Sequence, residues 1–355
     1  MFEQIKNKKI LITGHTGFKG SWLALWLVSL GAEVIGYSLP PKTERDNYVL
    51  TKLSKKIKEY LEDIRDLEKV NQVIKSEKPD IIFHLAAQPL VLESFKSPYY
   101  TFDTNIIGSL NVIEVFRKSD HTFLLVVITT DKVYENFEFN RGYKEDDRLG
   151  GKDPYSASKS CVEIISKSYQ ESFFKHDNKA LVTVRAGNVI GGGDWSDNRI
   201  VPDCIRSIEK NEIIKIRNPN SIRPWQFVLE PLSGYLMLSE KILKGHKELI
   251  EPWNFGPNSG NSIKVIDIVD RIIKFYGNGK FSISQSEQQS AETNTLLLDI
   301  RKAREKLNWK PVLNIDETIK LTVEWYKNYK NSDVEKLVAE QINFYESKWK
   351  LENLI

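Results

Sequence analysis

Short apolar runs alternate with stretches of helical spacing through the first half of this 355-residue chain. Ile10, Leu11 and Ile12 form an apolar run typical of a strand buried on both faces. Trp22, Leu23, Leu25, Trp26 and Leu27 then recur with helical spacing. Further strands are predicted at residues 32–37, 57–61, 80–88, 123–128 and 182–185. Between them lie helices at residues 67–76, 99–117 and 154–174, and the segment 41–55 reads as loop with a short helix. Such alternation, with right-handed crossovers, predicts an α/β fold built on a Rossmann-type, doubly wound parallel sheet. After Asn188 the pattern breaks up, and helices are predicted near 200–210, 229–243, 262–276, 315–330 and 333–348. The expected organisation is therefore a Rossmann domain over 1–186, which includes the helix opening at residue 154. A smaller mixed α/β lobe over 187–330 closes over the sheet edge, with some segments free to return to the sheet. Residues 331–355 form a docking helix whose target the sequence does not name.

The first strand-to-helix turn carries the clearest chemistry. Gly14, Gly17 and Gly20 stand between strand and helix, as a dinucleotide-binding βαβ unit requires. One glycine allows the tight turn, one lets backbone approach a pyrophosphate, and one lets the helix pack on the strand. The helix N-terminus then offers free N–H groups and a positive dipole end to phosphate. The turn supplies Gly14, Thr16, Gly17, Phe18, Lys19 and Gly20 as candidate cofactor contacts. Asp63 and Ile64, after the third strand, are placed to meet an adenine, while Asp66 is expected to cap the next helix. Leu85, Ala86, Ala87 and Gln88 follow the fourth strand and let a cofactor come near. Asn105 is expected to tie down backbone in that loop. His84, inside the apolar run, reads as a packed core histidine. The second strand ends in Gly36, Tyr37 and Ser38 with no carboxylate for a ribose, and Lys42 and Arg45 follow. That position leaves NAD and NADP both open. Gly191, Gly192, Gly193, Asp194 and Trp195 have no strand–turn–helix context and read as a flexible turn.

The fifth strand runs into Thr129, Thr130, Asp131 and Lys132, where α/β sheets bind ligands. Tyr155 and Lys159, four apart, share one face of a helix. A nearby ammonium, joined by a positively charged nicotinamide, would favour phenolate and pull the tyrosine toward neutrality. The pair could then take a proton from a sugar hydroxyl as hydride leaves the same carbon.

Charge and composition narrow the partners. The formal net charge is +3 with both signs mixed, which gives no case for nucleic acid or a membrane surface. No apolar run is long enough to span a bilayer, and the first residues lack a signal-peptide pattern. Cys161 and Cys204 lack metal or redox spacing, and the five histidines are scattered, so no metal site is expected. The expected setting is the cytoplasm.

Gly14-x-x-Gly17-x-x-Gly20 together with Tyr155-x-x-x-Lys159 resembles the extended short-chain dehydrogenase/reductase family. The run from Thr13 to Trp22 resembles its CDP-glucose 4,6-dehydratase branch. So do the runs from His84 to Val91, Thr130 to Asn136 and Gly187 to Trp195, and Arg223-Pro224-Trp225-Gln226. The resemblance spans residues 9–329. It implies a tightly held NAD, regenerated each turnover, and a nucleotide-sugar substrate dehydrated to a 4-keto-6-deoxy sugar for surface polysaccharide. It gives Tyr155 the O4 proton, Thr130 a hydrogen bond to O4, Asp131 the departing C6 hydroxyl, and Lys132 either the C5 proton or the enolate. Gln88, Asn188, Arg199 and Arg223 would contact the substrate, and Trp225 would stack on the base or pack the lobe. Epimerases of the same fold share Tyr155 and Lys159 but need no acid–base pair after Thr130. The resemblance also implies a homodimer or higher homo-oligomer through paired helices, with the helix opening at Tyr155 as a candidate face. Two departures from the branch pattern, Phe227 and the pair Leu92-Glu93, are expected near the sugar nucleotide.

Overall fold

The computed structural model describes residues 2–139, 141–175, 178–283 and 296–353. Six strands carry the first half: β1 (Lys9–Thr13), β2 (Glu33–Ser38), β3 (Lys58–Leu61), β4 (Ile81–His84), β5 (Leu124–Ile128) and β6 (Ala180–Arg185). A further strand, Trp253–Asn254, pairs with β6. Among the described residues these make one seven-stranded sheet, ordered Trp253–Asn254, β6, β5, β4, β1, β2, β3, with every pairing parallel. The order reverses at β1, which lies between β2 and β4. That is the crevice where doubly wound sheets take their ligands.

Alternation along each strand builds two cores. Ile10, Ile12, Ile81, Phe83, Leu124 and Val126 face one side with helix α1 (Phe18–Ser29). Leu11, Ile35, Ile82, Leu125 and Val127 face the other, with Val73, Val112, Phe116 and Val162 from covering helices. Each such side chain, fully buried, contributes roughly 1.5–3 kcal/mol.

The long helix expected at 99–117 runs over 98–118 but carries a π-turn at Asp103–Ile107. The inserted residue changes the pitch around Asn105, a common device at functional sites. A second π-turn, Gln170–Phe174, ends the helix Pro154–Tyr169. Asp66 caps the helix Leu67–Glu77 by accepting from Lys69 N, as expected. A short helix at Arg301–Leu307 has no counterpart in the sequence reading. Its residues are mostly charged and only Ala303 and Leu307 are buried, so the apolar pattern there is too sparse to read.

The turn from Gly191 to Trp195 corrects the expectation of a flexible segment. All five residues are buried. Trp22 Nε1 donates to Gly192 O at 2.9 Å, and a Cβ at Gly192 would overlap the Trp325 ring. Gly193 sits at φ +78° against Asn47. These glycines permit close packing, which neighbouring sequence could not announce. The helix Val334–Asn353 finds its target within the chain: Tyr345 packs edge-on against Trp26 and donates to Glu230 Oε2 at 2.7 Å.

Candidate active site

The turn after β1 forms a cradle made of backbone. Gly14, at φ +79°, donates its N–H to Tyr37 O at 2.8 Å. A Cβ on Gly14 would lie 2.8 Å from Ala86 N, so the loops after β1 and β4 touch through this missing side chain. A Cβ on Gly20 would overlap the Gly14 carbonyl. Gly17 begins α1 with no side-chain cap, which leaves first-turn N–H groups open to an anion. A dinucleotide pyrophosphate fits this arrangement. The Phe18 ring lies over Gly191, where a Cβ would come within 3.1 Å. The Thr16 hydroxyl donates to Leu39 O at 2.9 Å and stands 2.8 Å from Ser38 Oγ. Arg45 stacks on Trp195 at 4.1 Å and lies 3.6 Å from Glu209. These contacts hold it against the lobe.

The loop after β4 is fixed by polar groups. Leu85 N donates to Thr13 O at 3.1 Å and Ala86 N to Thr13 Oγ1 at 3.2 Å. Asn105 accepts from Gln88 N at 2.8 Å, and its amide donates to Gln88 O at 3.1 Å and Ser158 Oγ at 2.9 Å. Its expected role as a tie for this loop is what the structure has. The Gln88 amide itself donates to Leu90 O and Thr101 Oγ1 and accepts from Leu90 N. Those bonds hold the side chain of this candidate substrate contact within its own loop. His84 is a buried core histidine between Thr13 Oγ1 and Ser109 Oγ, pulled to about 3 chiefly by burial. Asp63 is ion-paired to Arg65 at 2.7 Å, and Ile64 is buried against Gly108.

Past β5 the chain turns through a short 3₁₀ segment, Asp131–Val133. The Thr130 hydroxyl donates to Asp131 Oδ1 at 3.0 Å and acts to hold down the buried Tyr155 phenol. Asp131 is 2% exposed, and Asn188 Nδ2 donates to its Oδ2 at 3.4 Å. A Cβ on Gly187 would overlap this carboxylate. Asn188, at φ +50°, belongs to the left-handed region that asparagine tolerates. The half-buried Lys132 has no carboxylate within ion-pair distance among the described residues. Asp131 turns inward and Lys132 does not follow it, so neighbours in sequence do different work.

Tyr155 opens the helix Pro154–Tyr169, which starts cleanly because Pro154 is pre-set for a first turn and Asp153 accepts from Ser156 N. Burial pushes the Tyr155 phenol up to about 12, while the Thr130 bond and the Arg199 charge oppose it. The expected fall toward neutrality is thus not a property of the chain alone, because burial outweighs its cations. Lys159, 4% exposed, donates to Ile128 O at 3.2 Å, and burial pulls its ammonium down to about 8 against the pull of Glu163. Lys19 is pulled to about 8 by burial, helped by Lys159 and Arg199 and opposed by Asp131. Lys19, Lys159 and Arg199 thus gather around Asp131, with Glu163 acting on Lys159 and Asp194 paired to Arg199.

Arg199 is held 2.7 Å from the buried Asp194, whose carbonyl accepts from Tyr326 OH. Arg223 lies on Ile222–Pro224, paired with Ser262–Lys264, and donates to Ile222 O at 3.0 Å. Trp225 packs in the lobe core, 6% exposed. Phe227, a departure from the branch pattern, is fully buried and packs edge-on against Trp22. Leu92 and Glu93 lie on the short surface helix Val91–Lys96. The structure thus gathers Thr130, Asp131, Tyr155, Lys159, Lys19, Asn188 and Arg199 and leaves Trp225 in the packing. Glu163, Arg185 and Asp194 were not singled out from sequence. The one signal for Glu163 was its place four residues after Lys159.

A family model described as GDP-mannose 4,6 dehydratase matches residues 11–322. The chain belongs to this family. Among its relatives, the CDP-glucose 4,6-dehydratase of Salmonella typhimurium is 42% identical over 327 residues, 91% of each chain. An epimerase of Methanothermobacter thermautotrophicus superposes with a TM-score of 0.80 at 23% identity, covering 96% of both chains. The dTDP-glucose 4,6-dehydratase of Bacillus anthracis, solved with NAD, gives 0.75 at 21% identity, covering 93% of this chain and 99% of that one. These two likenesses carry the fold of this dehydratase family member. No helix among its described residues is long and apolar enough to cross a membrane.

Proposed function

We propose that the protein is an NAD-dependent CDP-glucose 4,6-dehydratase that yields CDP-4-keto-6-deoxyglucose. The reading is supported by Thr130 and Asp131 acting on the Tyr155 phenol, with Lys132 next in sequence, in a chain 42% identical to a CDP-glucose 4,6-dehydratase. NAD, when bound, would supply the hydride acceptor for C4 and the hydride donor for C6. Gly14, Gly17 and Gly20 would hold its pyrophosphate, with Thr16 and Ser38 nearest the ribose and Asp63 and Ile64 nearest the adenine.

Tyr155 takes the O4 proton while Thr130 hydrogen-bonds O4 and steadies the developing charge. The 4-keto group acidifies C5–H. Lys132 takes that proton, and Asp131 gives one to the C6 hydroxyl, which leaves as water. The resulting enone is reduced at C6 and takes the proton back at C5 from Lys132. The O4 proton left on Tyr155 restores Asp131, so the net change is loss of one water. Lys132 as base acts through its neutral amine. Enolate stabilisation by its ammonium is the alternative. Lys19, Arg199 and Arg223 provide charge for the diphosphate. We place the reaction in the cytoplasm, where NAD and nucleotide sugars are found, as a step toward surface polysaccharide.

We further propose a homodimer through the helices at 98–118 and 154–169. Tyr99 is 83% exposed and Ile164 57%, and Phe95 and Phe102 are exposed on elements packed beside them. Sedimentation of wild type and Ile164→Asp tests it, with dimer expected for the first and monomer for the second.

The reaction is tested by offering NAD with CDP-, dTDP-, UDP- or GDP-glucose, then adding alkali and reading the 4-keto absorbance near about 320 nm. A signal with CDP-glucose and no net reduced cofactor is expected. A signal with another base would move the substrate assignment, and none with any would favour the epimerase reading.

A further inference from the structure

Behind the catalytic turn lies a buried ion pair that none of the steps above uses. Glu163 stands one helical turn beyond Lys159 and two beyond Tyr155 and is 3% exposed. Its Oε1 accepts from Thr129 Oγ1 at 2.5 Å and Arg185 Nε at 2.9 Å. Its Oε2 accepts from Thr183 Oγ1 at 2.7 Å and Arg185 Nη2 at 2.9 Å. Four donors thus fill the carboxylate's acceptor sites. Arg185 continues the network by donating to Tyr134 OH at 2.7 Å and Glu145 O at 3.0 Å, and Tyr134 donates to Asn254 Oδ1 at 2.7 Å.

A buried ion pair is a poor source of stability, because apolar side chains of like volume serve as well or better. This one touches the residue before Thr130 and lies one turn from Lys159. We propose that Glu163 is a positioning residue for the Tyr155–Lys159 pair, setting a buried carboxylate one helical turn from Lys159 and fixing Thr129, and through it Thr130, beside the phenol. The proposal rests on the assignment of Tyr155 as the proton acceptor.

The charges around Lys159 support it. Lys19 faces it from α1 and opposes its ammonium. His84 faces it from β4 and is held neutral by burial. Tyr155, on its own helix, is a neutral phenol in the chain alone. Glu163 is the group that raises Lys159 against burial. Arg185 and Tyr134 face Glu163 from β6 and the loop beyond the catalytic turn.

The test compares wild type with Glu163→Gln, both NAD-loaded. With CDP-glucose, the alkaline limb of the kcat profile is expected to move down by about one pH unit or more, with KM changed less than about twofold. Glu163→Asp, which keeps the charge, should hold the limb near its wild-type place. A second readout needs no sugar: the tyrosinate absorbance of each protein minus that of its Tyr155→Phe partner. Tyr155 should ionise at higher pH in Glu163→Gln. If that variant does not fold, Glu163→Gln combined with Arg185→Gln, which leaves no unpaired buried charge, is titrated in its place. An unmoved Tyr155 titration in a folded variant overturns the proposal. A moved titration in a protein whose wild type dehydrates no nucleotide sugar supports it and overturns the substrate reading instead.

Discussion

The sheet half and the closing lobe hold their functional side chains by different means. In the sheet half, position follows from local rules. Tyr155 and Lys159 share a helix face, Thr130 follows a strand end, and Gly14 and Gly20 shape one turn. In the lobe, position depends on distant partners. Arg199 is pinned by Asp194, whose carbonyl is held by Tyr326 from the helix Ile315–Asn328. Gln226 spans Gly187 and Phe255 through one amide nitrogen. Glu230 accepts from Val312 N and Leu313 N and binds Tyr345 of the last helix. In the sheet half, removing the Tyr155 hydroxyl should therefore leave the fold in place. In the lobe, substrate contacts and stability are coupled.

The largest expected effect lies on the sheet side. Tyr155→Phe should lower kcat by about 10³-fold, in the range of a lost general base, with the melting temperature and NAD affinity little changed. A comparable fall in melting temperature would break the comparison. Lys132→Met should come next, stopping turnover after the first oxidation so that reduced cofactor accumulates in a stopped-flow trace with CDP-glucose. Complete turnover without accumulation would remove Lys132 from the elimination.

On the lobe side, Asp194→Ala removes the partner of Arg199, whose side chain is 36% exposed, and should cost about 1–2 kcal/mol of stability, raising KM as well. Urea unfolding and initial rates on one preparation test the coupling. An effect on KM alone would place Arg199 under local control. The smallest effect concerns Glu230, whose carboxyl burial pushes up to about 7. A carboxyl with a raised folded-state value adds stability that is fully present below its ordinary 4.5 and is lost as pH rises through about 7. The melting temperature of Glu230→Gln relative to wild type should therefore rise between pH 5 and pH 8. A flat difference would show that Glu230 does not titrate in the fold over that window.

The same contrast sets what could be read from sequence. The glycine turn, the strand ends and the Tyr155–Lys159 spacing are short-range patterns, and the fold built on them is the one observed. Asn105 was legible as a tie because a buried amide in an apolar helix needs partners. Gly192 and Gly193 looked like slack because their partners, Trp325 and Asn47, lie far along the chain. Phe227 looked like a binding position because the neighbouring motif is functional, whereas its ring faces Trp22. Glu163 passed as one polar residue among many, since its meaning comes from Thr129 just after β5 and from Thr183 and Arg185 on β6.

The central claim is that one sugar is oxidised at C4 and reduced at C6 by the same bound cofactor. CDP-glucose carrying deuterium at C4 tests it directly, with the product read by NMR and mass spectrometry. The account predicts deuterium at C6 of the 4-keto-6-deoxy product and none released as free reduced cofactor. Deuterium retained at C4 of a 4-epimer, or lost to solvent, would contradict it.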